Sequence, residues 1–525
     1  MATSKTTAVI AIVPQSSGAD ASFDAPRRIN EMQTPEIVIA LCGPMGTPLH
    51  EVAKAFQDLL QSHDFGYVRV ELVRLSKIIR TLGNLAADAS TEDLIKAGND
   101  LRKKHGNAVL VQHAIKQIYV ARQALVEVSD HVDQPWLFEP EPDSDGVVEP
   151  APAARVCHII DSIKNIDELR VLRQVYGDML HVIGVYTPIE LRIERLMKRT
   201  KSPSEIHKLI DRDSGEEVTF GQRVQETFPQ ADFFLRADAG TDSQLMARVR
   251  RFLELMMGTR IITPTVAERA MYEAFSAARN SACLSRQVGA AITDAGGNVL
   301  AVGWNDVPKA FGGLYESTDL RSLADDDHRC WNKDGGRCFN DEEKTLIATQ
   351  VIDKLVGAEV IPEEHRQQAI DIIRHDSQLK SLIEFSRAVH AEMHALLNAS
   401  KAFGSRVQGG KLFVTTYPCH SCARHMVAAG ITEVYFLEPY RKSLATKLHA
   451  DAITETETDT KKVRIMPFDG VAPSRFLRLF SASPAGRKDT AGRMVARSAH
   501  PVTAITMEAI QTLEALAIKG IESVV

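Results

Sequence analysis

The first apolar run of weight is Glu36-Ile-Val-Ile-Ala-Leu-Cys42. It is too short for a helix and has no polar alternation, so it predicts a strand buried on both faces. Gly43-Pro-Met-Gly46-Thr follows, then His50-Glu-Val-Ala-Lys-Ala-Phe-Gln-Asp-Leu-Leu60, whose apolar positions fall at helical spacing. Two more apolar runs, Val156-Cys-His-Ile-Ile160 ending at Asp161 and His181-Val-Ile-Gly-Val-Tyr186, continue the pattern. The second of them leads into the helix-like Pro188 to Met197. Strands alternating with helices predict an α/β unit with a mostly parallel sheet.

Polar and irregular stretches mark the boundaries. Residues 1–34 carry Ser, Thr, Pro and Gln without apolar periodicity and read as a disordered leader. Residues 137–152 hold five acids, four prolines and no basic residue, the composition of a solvated surface insert within a first domain at 35–260. Thr263-Pro264 then reads as the N-cap and first position of a new helix. A second α/β domain spans 261–480, and a tail at 481–525 contains an amphipathic segment, Ala504 to Ile521.

The chain has 525 residues, 44% of them hydrophobic and 25% charged, with a net charge of −6. That balance excludes a fibre and argues against a protein that grips long nucleic acid by neutralising phosphates. The seven cysteines are an odd number spread thinly, which points to a reducing compartment rather than a disulfide framework. The apolar run Ala8 to Val13 is six residues, short of a signal segment or a membrane span. A cytoplasmic protein with no membrane association is expected.

The informative chemistry lies in His390-Ala-Glu392 and Pro418-Cys419-His-Ser-Cys422. Ser386 to Leu397 reads as a helix carrying His390. Lys411 to Thr416 reads as a strand running into the Cys pair, which opens another helix. Unpaired N–H groups at a helix start stabilise thiolates, the form that binds zinc. One imidazole and two thiolates leave the fourth position of a tetrahedral ion open, as in catalytic sites. Glu392 stands two residues from the His ligand, placed to shuttle protons. A Cys-x-x-Cys alone would equally suit a redox pair or half of a structural site. Ala391 breaks the H-E-x-x-H pattern of metalloproteases. Taken together and in this order, the residues form the H-x-E and P-C-x-x-C signature of zinc nucleobase deaminases.

On these residues the second domain resembles the deoxycytidylate deaminase family over about residues 265–450. Ser281 to Ile292 is similar to the family's first strand and its approach. Val302-Gly-Trp-Asn-Asp-Val-Pro308 resembles the loop that follows, with Trp304 and Asp306 departing from its usual Tyr and Gly. The resemblance implies a cytidine-deaminase-like α/β/α sandwich around a mixed five-stranded sheet, with Zn2+ held between two helix N-termini. It implies hydrolytic removal of the cytosine amine with Glu392 delivering protons, a nucleotide contact by Asn305, and association into homo-oligomers. As a residue type, Asn305 equally suits a turn. Some members of the family carry a second, structural zinc: Cys283 matches a position that ligates it and His328, Cys330 and Cys338 could supply the rest, the alternative being reduced cysteines in an insertion.

The first domain is similar to small-molecule kinases with a degenerate P-loop. In Gly43 to His50 a proline, a leucine and a histidine (Pro48, Leu49, His50) replace the last glycine, the phosphate-binding lysine and the metal-binding hydroxyl. Asp161 stands where a Walker-B acid would, and Arg192, Arg195, Lys198 and Arg199 lie on a lid-like helix. A degenerate P-loop kinase-like domain ahead of this deaminase resembles the bacterial anti-phage dCTP deaminases. Asp213 to Phe234 and Phe468 to Phe480 carry that likeness. It implies deamination of dCTP and dCMP to deoxyuridine nucleotides, depletion of dCTP during infection, and restraint by an inhibitory RNA or protein partner. The alternatives are a housekeeping dCMP deaminase for thymidylate synthesis, a nucleic-acid editing deaminase and a nucleotide-sensing regulator.

Overall fold

The computed structural model describes residues 34–129, 155–198, 206, 223–237, 242–317, 327–333, 335–439, 443–482, 488, 492–494, 501 and 507–522. The expected leader up to residue 33, the insert at 137–152, Arg199 and most of Asp213 to Arg223 lie outside them.

Twelve strands build two six-stranded sheets. The first sheet takes β1 (Ile37–Cys42), β2 (Arg69–Arg74), β3 (Val156–Asp161), β4 (Leu180–Tyr186), β5 (Phe233–Arg236) and β12 (Gly470–Val471), in the order β12-β5-β4-β1-β3-β2. β1 to β5 pair in parallel, and every residue of β1 is buried because helices cover both faces. On one face Val52 and Phe56 of helix Leu49–Leu60 pack with Phe252 of helix Asp242–Met257. On the other, Leu110 and Ile115 join Leu172 and Tyr176.

The linear division of the sequence does not match the division of the sheets. β12 comes from the second half of the chain and pairs antiparallel with β5, Gly470 opposite Phe234. The tail segment does form a helix, Met507–Glu522, but it docks on the first unit. There Glu514 pairs with Arg122, accepts a hydrogen bond from the Tyr176 hydroxyl at 2.8 Å and is fully buried. Arg122 also holds Glu36, so one guanidinium joins the start of β1 to the end of the chain. Both segments return because each completes a surface that the first half leaves open: a sheet edge and an apolar helix face.

The second sheet takes β6 (Gly289–Thr293), β7 (Val299–Trp304), β8 (Lys411–Thr416), β9 (Glu433–Glu438), β10 (Ile453–Thr454) and β11 (Val463–Pro467), in the order β10-β11-β9-β8-β6-β7. It is mixed, as expected, but the two-residue β10 adds a sixth strand to the implied five. Alternate residues face opposite helices. Ala291 and Phe413 meet Ala270 and Met271 of helix Val266–Ala277, whereas Ala290, Ile292 and Leu412 meet Ala391 and Ala395 of helix Ala391–Phe403. The helix expected to start at Pro264 begins two residues later. Thr265 and Glu268 form a capping box, which fixes the N-cap beyond the proline.

Glu268 ties the units together. Its buried carboxylate accepts two bonds from Arg251 at 2.8 and 2.7 Å, one from the Thr265 amide and one from the Val471 amide at 2.9 Å. No helix among the described residues is long and apolar enough to cross a membrane.

Candidate metal centre

His390 does not sit inside a helix; it caps one. Val389 donates its N–H to the Asp306 carbonyl at 2.9 Å, and that bridge keeps the chain extended up to His390, so the helix starts at Ala391. Cys419 likewise caps helix His420–Ala428, and Cys422 lies in its first turn. Two helix N-termini thus face each other across the centre, each adding a partial positive charge that favours thiolates.

Their approach depends on Gly303. A Cβ there would stand 2.3 Å from the Ala395 nitrogen and 2.6 Å from the Ala391 carbonyl. Only glycine lets β7 run this close to the helix that carries Glu392.

His390 Nδ1 lies 3.4 Å from both Cys419 Sγ and Cys422 Sγ, and the three ligand atoms gather within 4.8 Å of one another. A nitrogen and a sulfur on one tetrahedral zinc stand about 3.5 Å apart, from bond lengths of ~2.0 and ~2.3 Å. The donor set and its spacing fit zinc. The Cys422 side chain and His390 hold the Cys419 thiol down to about 4, and the same contact raises His390 to about 9. The lowered thiol favours the thiolate, which is the form that binds zinc. Glu392 is 5% exposed, and its burial raises its carboxyl above the usual carboxylate range. It interacts with both His390 and Cys422, which places it beside the ligands without joining them.

Asn305 makes two bonds to its own chain. Its Oδ1 accepts the Val288 amide at 2.7 Å and its Nδ2 donates to the Arg286 carbonyl at 2.9 Å, so the side chain holds the segment entering β6. The second-zinc residues do not assemble in the same way. Cys283, Cys330 and Cys338 line one small pocket, but among the described residues only the His390 set forms a metal-sized group. The His328 ring packs edge-on against Tyr315 instead.

Two residues gain roles that the sequence left unassigned. Asp306, the acid standing in a glycine position, accepts the Ala282 amide at 2.9 Å and lies 3.6 Å from the buried Arg329. An acid where the loop usually has none was the available signal. His394 accepts the Trp304 amide at 3.2 Å and nothing in its spacing marked it.

In the first unit, Arg192 is buried and its Nε donates to the Met45 carbonyl at 2.6 Å, closing the degenerate loop from the lid side. Arg195 pairs with Glu51 and Lys198 with Glu194. His50 faces Arg74 at 3.0 Å, and Asp161 is held above the usual carboxylate range by burial.

The sandwich and its His/Cys/Cys centre resemble those of the zinc nucleobase deaminases. Residues 264–438 match the family model described as the cytidine and deoxycytidylate deaminase zinc-binding region, and His390, Cys419 and Cys422 within that stretch form a group that could hold the ion. ComE operon protein 2 of Bacillus subtilis is 45% identical over 56 residues, 11% of this chain and 29% of that protein. The deoxycytidylate deaminase of Enterobacteria phage T2 is 27% identical over 170 residues, 32% of this chain and 78% of its own. A UPF0200/UPF0201 protein of Archaeoglobus fulgidus is 26% identical over 168 residues, 32% of this chain and 42% of that one. The chain therefore spans less than a third of the first of these relatives and over three quarters of the phage enzyme.

Proposed function

We propose that the protein is a zinc-dependent hydrolase that deaminates deoxycytidine nucleotides, dCMP and dCTP, to the deoxyuridine nucleotides and ammonia. The observation that carries this is the convergence of His390, Cys419 and Cys422 with the buried Glu392 at their side. The similarity to the phage T2 deoxycytidylate deaminase supports a deoxycytidine nucleotide over other amines.

His390, Cys419 and Cys422 would hold the ion, which when bound supplies Lewis-acid activation of water near neutral pH. The chain's own part is proton handling. Glu392 takes a proton as water adds at C4 of cytosine, delivers one to N3 and then protonates the departing amine. Water enters, ammonia leaves and the uracil base remains, so atoms balance. Asn305 serves the nucleotide indirectly, by fixing Arg286 to Val288 at the approach to the site.

The pairing with a degenerate kinase-like unit supports the finer reading of an anti-phage enzyme that depletes dCTP in the cytoplasm, working as a homo-oligomer and restrained by an RNA or protein partner. A housekeeping enzyme would have no evident use for that unit. The test is ammonia release from dCMP, dCTP, CTP and cytosine-containing single-stranded DNA by the zinc-loaded protein. Turnover of dCMP or dCTP is expected; turnover of the polymer alone would overturn the assignment.

A further inference from the structure

The C-terminal ends of β4 and β5 are where a parallel α/β sheet ordinarily receives its ligand. Here the second unit reaches that edge. Arg236, the last residue of β5, is 6% exposed and forms an ion pair with Glu457 at 2.7 Å. Tyr186, the last residue of β4, places its ring edge-on to Phe436 with centroids 6.4 Å apart. Phe436 in turn stands edge-on to Tyr417 at 4.9 Å.

Glu457 belongs to the short segment that leaves β10. Two residues earlier in it, Glu455 accepts a hydrogen bond from the Tyr417 hydroxyl at 2.8 Å. Tyr417 is followed directly by Pro418 and the zinc ligand Cys419. Its backbone is pinned as well: its N–H donates to the Glu438 carbonyl at 2.8 Å, and Ser443 donates to the Pro418 carbonyl at 2.7 Å. One acidic segment therefore has two anchors, Arg236 in the first unit and Tyr417 beside the metal centre.

We propose that the first unit is a positioning element of the zinc centre: Arg236 through Glu457 fixes the segment whose Glu455 orients Tyr417, Tyr186 through Phe436 backs the Tyr417 ring, and together they set the Cys419 loop. The physical case rests on tolerance. Metal ligands must be held to about half an ångström, and the groups that orient them count nearly as much as the ligands. A tyrosine two residues from a ligand, locked at its ring, its hydroxyl and its amide, is built for that purpose. A guanidinium so far removed from water needs an acid, and Glu457 supplies it from the other unit. This gives the degenerate kinase-like unit work that needs no nucleotide chemistry. It rests on the zinc site, and on the proposed deamination only for its kinetic arm.

The experiment uses the full chain with Co2+ in place of zinc, because cobalt–thiolate absorption reports ligand geometry without turnover. Tyr417→Phe keeps the ring and removes the bond to Glu455. It should shift the cobalt bands and weaken metal binding about ten-fold, with kcat on dCMP falling by a similar factor and KM little changed. Glu455→Gln keeps an acceptor oxygen and should leave the bands as in the wild-type protein. Arg236→Met and Glu457→Gln, at the other end, should reproduce the Tyr417→Phe shift. Glu457 is half exposed, so its variant does not threaten the fold if Arg236→Met lowers the melting temperature. Wild-type bands in Glu457→Gln and in a folded Arg236→Met would overturn the proposal, as would wild-type bands in Tyr417→Phe. Should the wild-type protein fail to deaminate any cytosine nucleotide, the proposed function falls while the bands still decide this point.

Discussion

The side-chain oxygen of Asn305 accepts the backbone N–H of Val288 at 2.7 Å, and the same amide group donates to the Arg286 carbonyl. The residue is 7% exposed and both bonds are partly buried, so removing it takes a partner from two backbone groups. Asn305→Ala should cost about 2 kcal/mol in urea unfolding, on the order of two lost bonds of this kind. Asn305→Asp keeps the acceptor for Val288 but sets a carboxylate against the Arg286 carbonyl. It should be destabilised at neutral pH and recover in part as the acid is protonated. An Asn305→Ala protein with unchanged stability and a raised KM alone would return the residue to direct nucleotide contact.

Gly303 sets the distance between β7 and the helix bearing Glu392. Because the atoms a Cβ would meet are backbone, at 2.3 and 2.6 Å, no side-chain rotation relieves the clash. Gly303→Ala should displace the start of that helix, lower zinc content per chain and reduce activity more than ten-fold. Metal analysis of the purified variant beside wild type checks this. A full zinc complement with normal turnover would show that the helix has room to move.

The proposed role of Glu392 is to handle protons without ligating the ion. Glu392→Gln should retain zinc at the wild-type ratio while ammonia release falls by about 10²–10⁴-fold, the usual contribution of a general acid–base. Loss of zinc together with activity would make Glu392 a structural support for the centre. Normal activity would remove it from the mechanism.

His181 gives stability a pH dependence. Burial against Phe252 lowers its pKa from 6.5 to about 4, an effect that Asp232 only partly offsets and that Arg475 and Arg478 reinforce. A folded pKa below the unfolded value means that the unfolded chain takes up the proton first. The contribution of neutral His181 is therefore full above pH 6.5 and lost as pH falls towards 4. The shift amounts to about 3 kcal/mol. His158 works in the opposite sense: burial would lower it, but Glu36 and Glu71 outweigh burial and raise it, so its contribution is lost as pH rises. Urea unfolding of His181→Leu and wild type at several pH values separates the two. The stability of the variant should fall less between pH 7 and pH 4, and parallel curves would contradict this reading of His181.

Short-range chemistry was legible in the sequence. Cys419 and Cys422 share a site because one helical turn brings them together, and Glu392 lies near His390 because it is in the first turn of the helix that His390 caps. The buried strands could be read because both of their faces are apolar. Helix starts were less clear, since Thr265 outcompetes Pro264 through a capping box, and the Asp306–Val389 bridge delays the helix after His390.

The sequence by itself therefore determined the class of sheet and named the candidate ligand set and acid–base partner, all of which depend on neighbours along the chain. Only the tertiary structure decided what depends on neighbours in space. It brought His390 within 3.4 Å of a sulfur 29 residues away, and it spent the Asn305 amide on Arg286 and Val288. It also sent β12 and the last helix back to the first unit, and it joined Arg236 to the metal loop through Glu457 and Glu455. Spacing along a chain records periodicity, whereas a hydrogen bond or ion pair between distant residues records how separate surfaces close on one another.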